Sequence, residues 1–219
     1  MVIDFQNISN IIGEKIKNIL CEWDGKSCII SMKEDNAKNW KQMEWIGWYF
    51  EYWCQKNLSQ IMEMPYSKKY GNVSFDGFFQ IPLDFKSHSY ESGSKVPIND
   101  SEAIREAVKD FGCVGLIICI GSAKYDLDEN FKKWHDDLKG GKTEYEKERI
   151  SRGAPSRRRK TSFKIKKILL IKVDNDELMR CSTFQKNFRN SNGNLRRKKV
   201  LLDLHKLDNN HVYTLKICE

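Results

Sequence analysis

The sequence predicts an α/β domain with a central mixed β-sheet flanked by helices. Apolar residues recur at helical spacing in some stretches and alternate with polar residues in others, and the two kinds of stretch are interspersed along the chain. The connections between the predicted strands include both long crossovers and short hairpins. The sheet should therefore contain parallel and antiparallel pairs.

Helices are predicted for the first part of the chain. Residues 8–20 carry isoleucines and leucine at helical spacing, and a longer helix is predicted over residues 37–62. Aromatic and other apolar side chains lie on nearly every face of this second helix. It should therefore be largely buried, packed against the sheet.

Two short strands follow, over residues 72–79 and 81–86, and they are close enough in sequence to form a hairpin. A polar loop then leads to a helix that begins at an N-cap signal over residues 99–101 and ends at Gly112. The remaining predicted elements are a buried strand at 113–120, helices at 130–138 and 143–150, and strands at 166–173, 199–205 and 212–217.

The 219 residues are expected to form one domain. We divide it into a helical N-terminal part (1–64), a central core (about 65–175) and C-terminal strands (176–219). The longest apolar run, residues 114–120, is far shorter than the roughly 20 residues that cross a bilayer. Nothing at the N-terminus is typical of a secretion signal, so we expect a cytoplasmic protein without a membrane span.

The seven cysteines do not indicate a metal site. Their number is odd, no Cys-x-x-Cys pair occurs, and several lie in apolar stretches. Structural zinc requires closely spaced thiolates or a histidine pair, and the sequence has neither. We expect reduced cysteines that contribute to packing.

The positive charge of the chain is concentrated in one segment. Residues 152–173 contain nine basic residues and no acid, whereas the whole chain has a formal net charge of +8. Such a run is either a solvated face or a polyanion-binding surface, and the loop signal at 153–155 favours the second reading. Together with the lysines around Gly140 and Gly141, the predicted contacts to a polyanion such as DNA are Lys139, Lys142, Arg152, Arg157, Arg158, Arg159 and Lys160. Residues 186–199 are either a second contact or a solvated turn.

The predicted hairpin carries a set of residues suited to phosphodiester chemistry. Side chains alternate along a strand, so Asp84 and Lys86 should face the same way, and pairing of the strands would bring Asp76 near them. Two neighbouring carboxylates repel each other, and a hard divalent cation such as Mg²⁺ relieves the repulsion. A metal of this kind can polarise a phosphodiester, while Lys86 could orient or deprotonate the attacking water.

This pattern resembles the PD-(D/E)xK nuclease superfamily, in which an acid on one strand is followed by an acid-x-Lys triplet on the next. The match consists of Asp76, Asp84 and Lys86, with Phe75 in place of the usual proline. The resemblance implies a restriction-endonuclease-like core, with Mg²⁺ bound by Asp76, Asp84 and the backbone carbonyl of Phe85. It also implies a fourth catalytic residue on the preceding helix, for which Glu51 is the candidate.

Within this superfamily the chain looks most like a type II restriction endonuclease, which implies a double-stranded DNA substrate and a homodimer. Other readings remain open. Glu51 could instead be a structural partner of a basic group, and Glu44 is the less favoured alternative to Glu51 as the fourth catalytic residue. His88 should face the same way as Lys86 on the strand, which makes it a further, less favoured candidate for the site. A repair or structure-selective nuclease would have the same chemistry, and a non-enzymatic DNA-binding protein would use the basic segment alone.

Overall fold

In the computed structural model, which describes residues 4–66, 68–70, 73–153, 156–185 and 194–217, a mixed β-sheet lies between two hydrophobic cores. The helices are α1 (Phe5–Ile16), α2 (Gly25–Glu34), α3 (Trp45–Leu58), α4 (Ser101–Phe111), α5 (Asn130–Leu138), α6 (Glu144–Ser151) and α7 (Asn175–Cys181). The strands are β1 (Glu22–Asp24), β2 (Lys69–Tyr70), β3 (Val73–Ser74), β4 (Gly77–Phe79), β5 (Ile81–Ser89), β6 (Lys95–Asp100), β7 (Val114–Tyr125), β8 (Lys160–Val173), β9 (Ser182–Gln185), β10 (Lys199–Asp203) and β11 (Val212–Lys216).

The central sheet has the strand order β1-β8-β7-β5-β4, and β11 also pairs with β8. Strand β5 is parallel to β7, whereas β4 pairs antiparallel with β5 and β8 antiparallel with β7. Gly115 of β7 lies opposite Leu83, and a Cβ atom there would collide with the leucine side chain, so Leu83 packs over the glycine backbone. The predicted fold class, a mixed sheet flanked by helices, is confirmed.

One face of the sheet is covered by the N-terminal helices. Ile8, Ile12 and Ile16 form the buried stripe of α1, whose N-terminus is capped by the Asp4 carboxylate. The predicted helix over 37–62 is shorter than expected, because residues 37–44 form turns before α3 begins at Trp45. The sequence analysis did not predict α2, which has a short apolar face (Cys28, Ile29 and Met32).

The other face is covered by α4, α7 and a small sheet with the order β6-β10-β9. Helix α4 ends at Phe111 and is stopped by Gly112, as predicted; this C-cap glycine has a left-handed φ of 78°. Strand β6 lies in a stretch that was predicted to be a polar loop, and α7 and β9 were also missed.

Two further expectations concern membranes and cysteines. Among the described residues, no helix has the length and apolar character needed to span a bilayer. Cys28, Cys54, Cys113, Cys119 and Cys181 are buried free thiols, in agreement with a packing role. Cys21 is disulfide-bonded, so the expectation of a reduced thiol was wrong for this residue.

Candidate active site

The β4–β5 hairpin places two acidic residues side by side. The chain turns at Gln80, which has a left-handed φ of 62°. Gly77 then lies opposite Leu83, and the same register continued by one residue places Asp76 opposite Asp84. The pairing that the sequence analysis required is therefore present.

The pairing of β4 with β5 ends at Asp76, so the rest of β5 has an open edge on the β4 side of the sheet. Its backbone N–H donates to the Leu83 carbonyl (3.0 Å), and its Oδ2 accepts the Phe85 N–H (2.7 Å). The Asp76 carboxylate thus accepts the hydrogen bond from the Phe85 N–H that a backbone carbonyl of β4 would accept if the strand continued. The Phe85 carbonyl, on the same edge, remains available to a side chain or a ligand.

Three oxygens converge on the ammonium group of Lys86. Its Nζ lies 2.8 Å from Oδ2 of Asp84, 3.0 Å from the Phe85 carbonyl oxygen and 3.9 Å from Oδ2 of Asp76. These oxygens belong to the three residues that the resemblance implies as magnesium ligands. The structure therefore brings them around one cationic group at the open edge of β5.

Glu51 lies next to this group, on the half-buried face of α3 that packs against β5. Burial raises the pKa of Glu51; the Lys86 ammonium opposes this shift and the Asp84 carboxylate adds to it. Its Oε1 accepts a hydrogen bond from Nε2 of Gln55 at 3.3 Å. Sequence reasoning missed Gln55, although its position one helical turn after Glu51 was a usable signal.

The site holds more negative than positive charge. Three carboxylates face one ammonium, a formal charge of −2 when all four groups are ionised. Burial and the neighbouring Asp84 carboxylate hold the pKa of Asp76 well above its usual range. Burial alone would lower the pKa of Lys86, but the Asp84 and Asp76 carboxylates outweigh it and raise that pKa.

The donor atoms suit a hard divalent cation. Carboxylate and carbonyl oxygens are the ligands that Mg²⁺ prefers, and it commonly completes its coordination with water. Oδ2 of Asp84 is buried and has no hydrogen-bond partner in the described part of the chain, although it is in ionic contact with Lys86. No cluster of three or more His, Cys, Asp or Glu side chains arranged to hold a metal is found among the described residues. The suitability of the site for Mg²⁺ therefore depends on two carboxylates and one backbone carbonyl.

Most of the predicted DNA contacts are accessible. Lys142, Arg152, Arg157 and Arg158 are exposed, and Lys160 is partly buried at the start of β8. Of the possible second contact, residues 186–193 lie outside the described residues, and residues 194–199 are exposed.

Two predicted DNA contacts are buried in an ion network, and we withdraw them. The side chain of Lys139 is 3% exposed and pairs with Asp136 Oδ1 (2.7 Å) and Glu146 Oε2 (3.2 Å). The side chain of Arg159 is 1% exposed and pairs with Glu146 Oε1 at 2.6 Å. Their charges are satisfied inside the protein, so they cannot reach a phosphate without breaking the network.

The two alternative site residues lie elsewhere. Glu44 immediately precedes α3 and contacts Lys160 and Arg157. His88 is buried, and its Nε2 lies 2.6 Å from the Gly93 carbonyl oxygen. Both residues have partners outside the Asp76–Asp84–Lys86 group.

Comparisons with known proteins give little further information. No family model matches the sequence, and no curated protein is significantly similar to it. Among solved structures, the restriction endonuclease BglI bound to its DNA recognition sequence is similar, with a TM-score of 0.40 and 13% identity over 98% of this chain and 87% of that chain. A likeness this low carries no weight for function, so the candidate site has to be judged on its own geometry.

Proposed function

We propose that this chain is a magnesium-dependent DNA endonuclease that hydrolyses phosphodiester bonds. The observation that supports this most is the convergence of the Asp76, Asp84 and Phe85 oxygens at the open edge of β5, in a site with excess negative charge. An excess of partly buried carboxylates is unfavourable without a cation, which makes the site suited to binding one.

Each residue has a proposed role. Magnesium held by Asp76, Asp84 and the Phe85 carbonyl would supply Lewis-acid stabilisation of negative charge on the phosphate. Lys86, whose ammonium group lies among the same three oxygens, would orient the attacking water and neutralise charge on the phosphate. Glu51 would accept a hydrogen bond from the same water. The exposed basic residues of the 152–160 segment would hold the DNA backbone.

The finer proposal is a type II restriction endonuclease that acts as a homodimer on a specific double-stranded sequence. Its support is the resemblance of the Asp76, Asp84 and Lys86 pattern to the nuclease superfamily. Digestion of a phage genome with Mg²⁺, followed by sequencing of the ends, should give discrete fragments with a shared terminal sequence. Uniform degradation, or cleavage confined to distorted DNA, would instead indicate a repair or structure-selective nuclease. Sedimentation of the purified protein should give twice the monomer mass.

Substitutions at the site test the chemistry. We expect Asp84→Ala and Lys86→Ala each to reduce Mg²⁺-dependent cleavage by about a thousandfold or more, a magnitude typical of losing an electrostatic catalytic group. Binding of uncleaved DNA in Ca²⁺ should survive at least in part.

The Asp35–Lys56 ion pair provides matched controls. It joins the same residue types on the exposed surface of α2 and α3, so Asp35→Ala and Lys56→Ala should leave cleavage unchanged. Wild-type cleavage rates in both Asp84→Ala and Lys86→Ala would remove the assignment. DNA binding with no cleavage by the wild-type chain in Mg²⁺ would indicate a non-enzymatic DNA-binding protein.

A further inference from the structure

Glu44 bridges two cations, Lys160 and Arg157, at the N-terminal end of α3. Its Oε2 lies 3.0 Å from Nζ of Lys160, and its Oε1 lies 3.8 Å from Nη1 of Arg157. Although Glu44 occupies the N-cap position of α3, its side chain makes no capping hydrogen bond and is directed to these cations instead. Its carboxylate therefore satisfies the charge of two residues from the basic segment.

This contact is easily exchanged. The side chains of Glu44 and Arg157 are 45% and 80% exposed, and that of Lys160 is 25% exposed. Ion pairs with this degree of exposure typically contribute about 1 kcal/mol or less to stability. An incoming anion could replace the carboxylate at little cost, which is not true of the buried Lys139 and Arg159 pairs.

The contact also lies on a cavity between the start of α3 and the end of β5. Glu44 and Lys160 line a cavity of about 190 Å³ together with Gly47 of α3 and Ser87 of β5. Ser87 follows Lys86 on β5, but side chains alternate along a strand, and the Ser87 side chain faces Gly47 of α3. The cavity is several times larger than the roughly 30 Å³ that one water molecule occupies in the liquid. A group larger than a single water can therefore enter it from the solvent.

We propose that Lys160 and Arg157 form a contact for a backbone phosphate of the DNA substrate, and that Glu44 covers this contact until DNA binds. The proposal rests on the proposed DNA-directed function and adds a second phosphate position, separate from the Asp76–Asp84–Lys86 group. A phosphodiester carries one negative charge on oxygens, as a carboxylate does, so it can take over both cations. Glu44 then becomes an electrostatic competitor of the substrate.

Replacement of Glu44 by Gln tests this competition. DNA binding is measured by fluorescence anisotropy with a labelled duplex at low salt, in EDTA, so that no cleavage occurs. Glu44→Gln should tighten binding about fivefold, because a competitor worth about 1 kcal/mol is removed. In a chain that already carries Arg157→Ala and Lys160→Ala, adding Glu44→Gln should change the DNA affinity little, because the two cations that Glu44 covers are absent.

Glu22→Gln is the matched control. Glu22 pairs with Lys164 at 3.2 Å, on the same strand as Lys160 and with both partners exposed. Glu22→Gln should leave the DNA affinity unchanged, because the expected effect is specific to the Glu44 contact. If Glu44→Gln leaves the DNA affinity unchanged or weakens it, this proposal is overturned and the nuclease proposal still stands. A chain that neither binds nor cleaves DNA in any of these forms would overturn both.

Discussion

Two clusters of acidic and basic side chains in this protein differ in their charge balance. At the open edge of β5, the carboxylates of Asp76, Asp84 and Glu51 face the single ammonium of Lys86. Between α5, α6 and the start of β8, the carboxylates of Asp136 and Glu146 face the cations Lys139 and Arg159. The first cluster has excess negative charge and the second is neutral.

The difference is visible in the pKa shifts. In the first cluster, burial and neighbouring carboxylates raise the pKa values of Asp76 and Glu51. In the second, burial alone would raise the pKa of Glu146, but the Thr143 N–H and the Lys139 and Arg159 charges outweigh it and lower the pKa to about 2. A balanced network stabilises the fold by itself, whereas an unbalanced one is improved by binding a cation.

The largest stability effect should come from breaking the balanced network. Glu146→Gln leaves two buried cations with one carboxylate and should cost about 3 kcal/mol of unfolding free energy, the scale seen when one partner of a buried pair is removed. Urea denaturation would measure the loss. Glu144→Gln, on the same helix but in an exposed pair with Lys147, should change the unfolding free energy by about 0.5 kcal/mol or less. Equal losses in the two variants would contradict a structural role for the network.

The same region should make stability depend on pH. Burial, assisted by the Lys139 charge, lowers the pKa of His135 from its ordinary value of 6.5 to about 4. The unfolded chain therefore takes up a proton as the pH falls below 6.5 while the folded chain stays neutral at this residue. The protonation of His135 in the unfolded chain alone should lower the free energy of unfolding by about 3 kcal/mol between pH 6.5 and pH 4. The contribution of Glu146 is lost at lower pH, from about 4.5 down to 2.

An NMR titration of the assigned histidine resonances checks the origin of this pH dependence. The resonance of His135 should titrate near pH 4, before or together with acid unfolding. A midpoint near 6.5 in the folded protein would exclude His135 as the cause.

A smaller effect of opposite sign is expected at the unbalanced site. Asp76→Asn removes one negative charge, and the new side-chain carbonyl can still accept the Phe85 N–H. In EDTA the variant should be about 1 kcal/mol more stable than the wild type, because repulsion and the cost of burying a carboxylate both decrease. Thermal unfolding should show a higher Tm, whereas Asp136→Asn in the balanced network should lower it. A lower Tm for Asp76→Asn would contradict the charge imbalance.

The sequence predicted the geometry of the β4–β5 hairpin better than it predicted the surroundings of the hairpin. Asp84 and Lys86 share a face because strand parity is local, and the short hairpin limited where Asp76 could lie. The burial of Lys139 and Arg159 could not be predicted, because it depends on how α5 and α6 pack on the start of β8. Strand β6 was missed for a similar reason: its pairing partner, β10, lies about one hundred residues further along the chain.

Divalent-cation binding tests the central claim most directly, because it needs neither DNA nor cleavage. Thermal unfolding of the wild-type chain should shift to higher temperature as Mg²⁺ or Ca²⁺ is added, since a ligand that binds the folded state stabilises it. Asp84→Asn should abolish the shift, and Asp35→Asn, in the exposed pair with Lys56, should retain it. A wild-type Tm that does not respond to either cation, or an equal response in Asp84→Asn, would contradict a cation site at the open edge of β5.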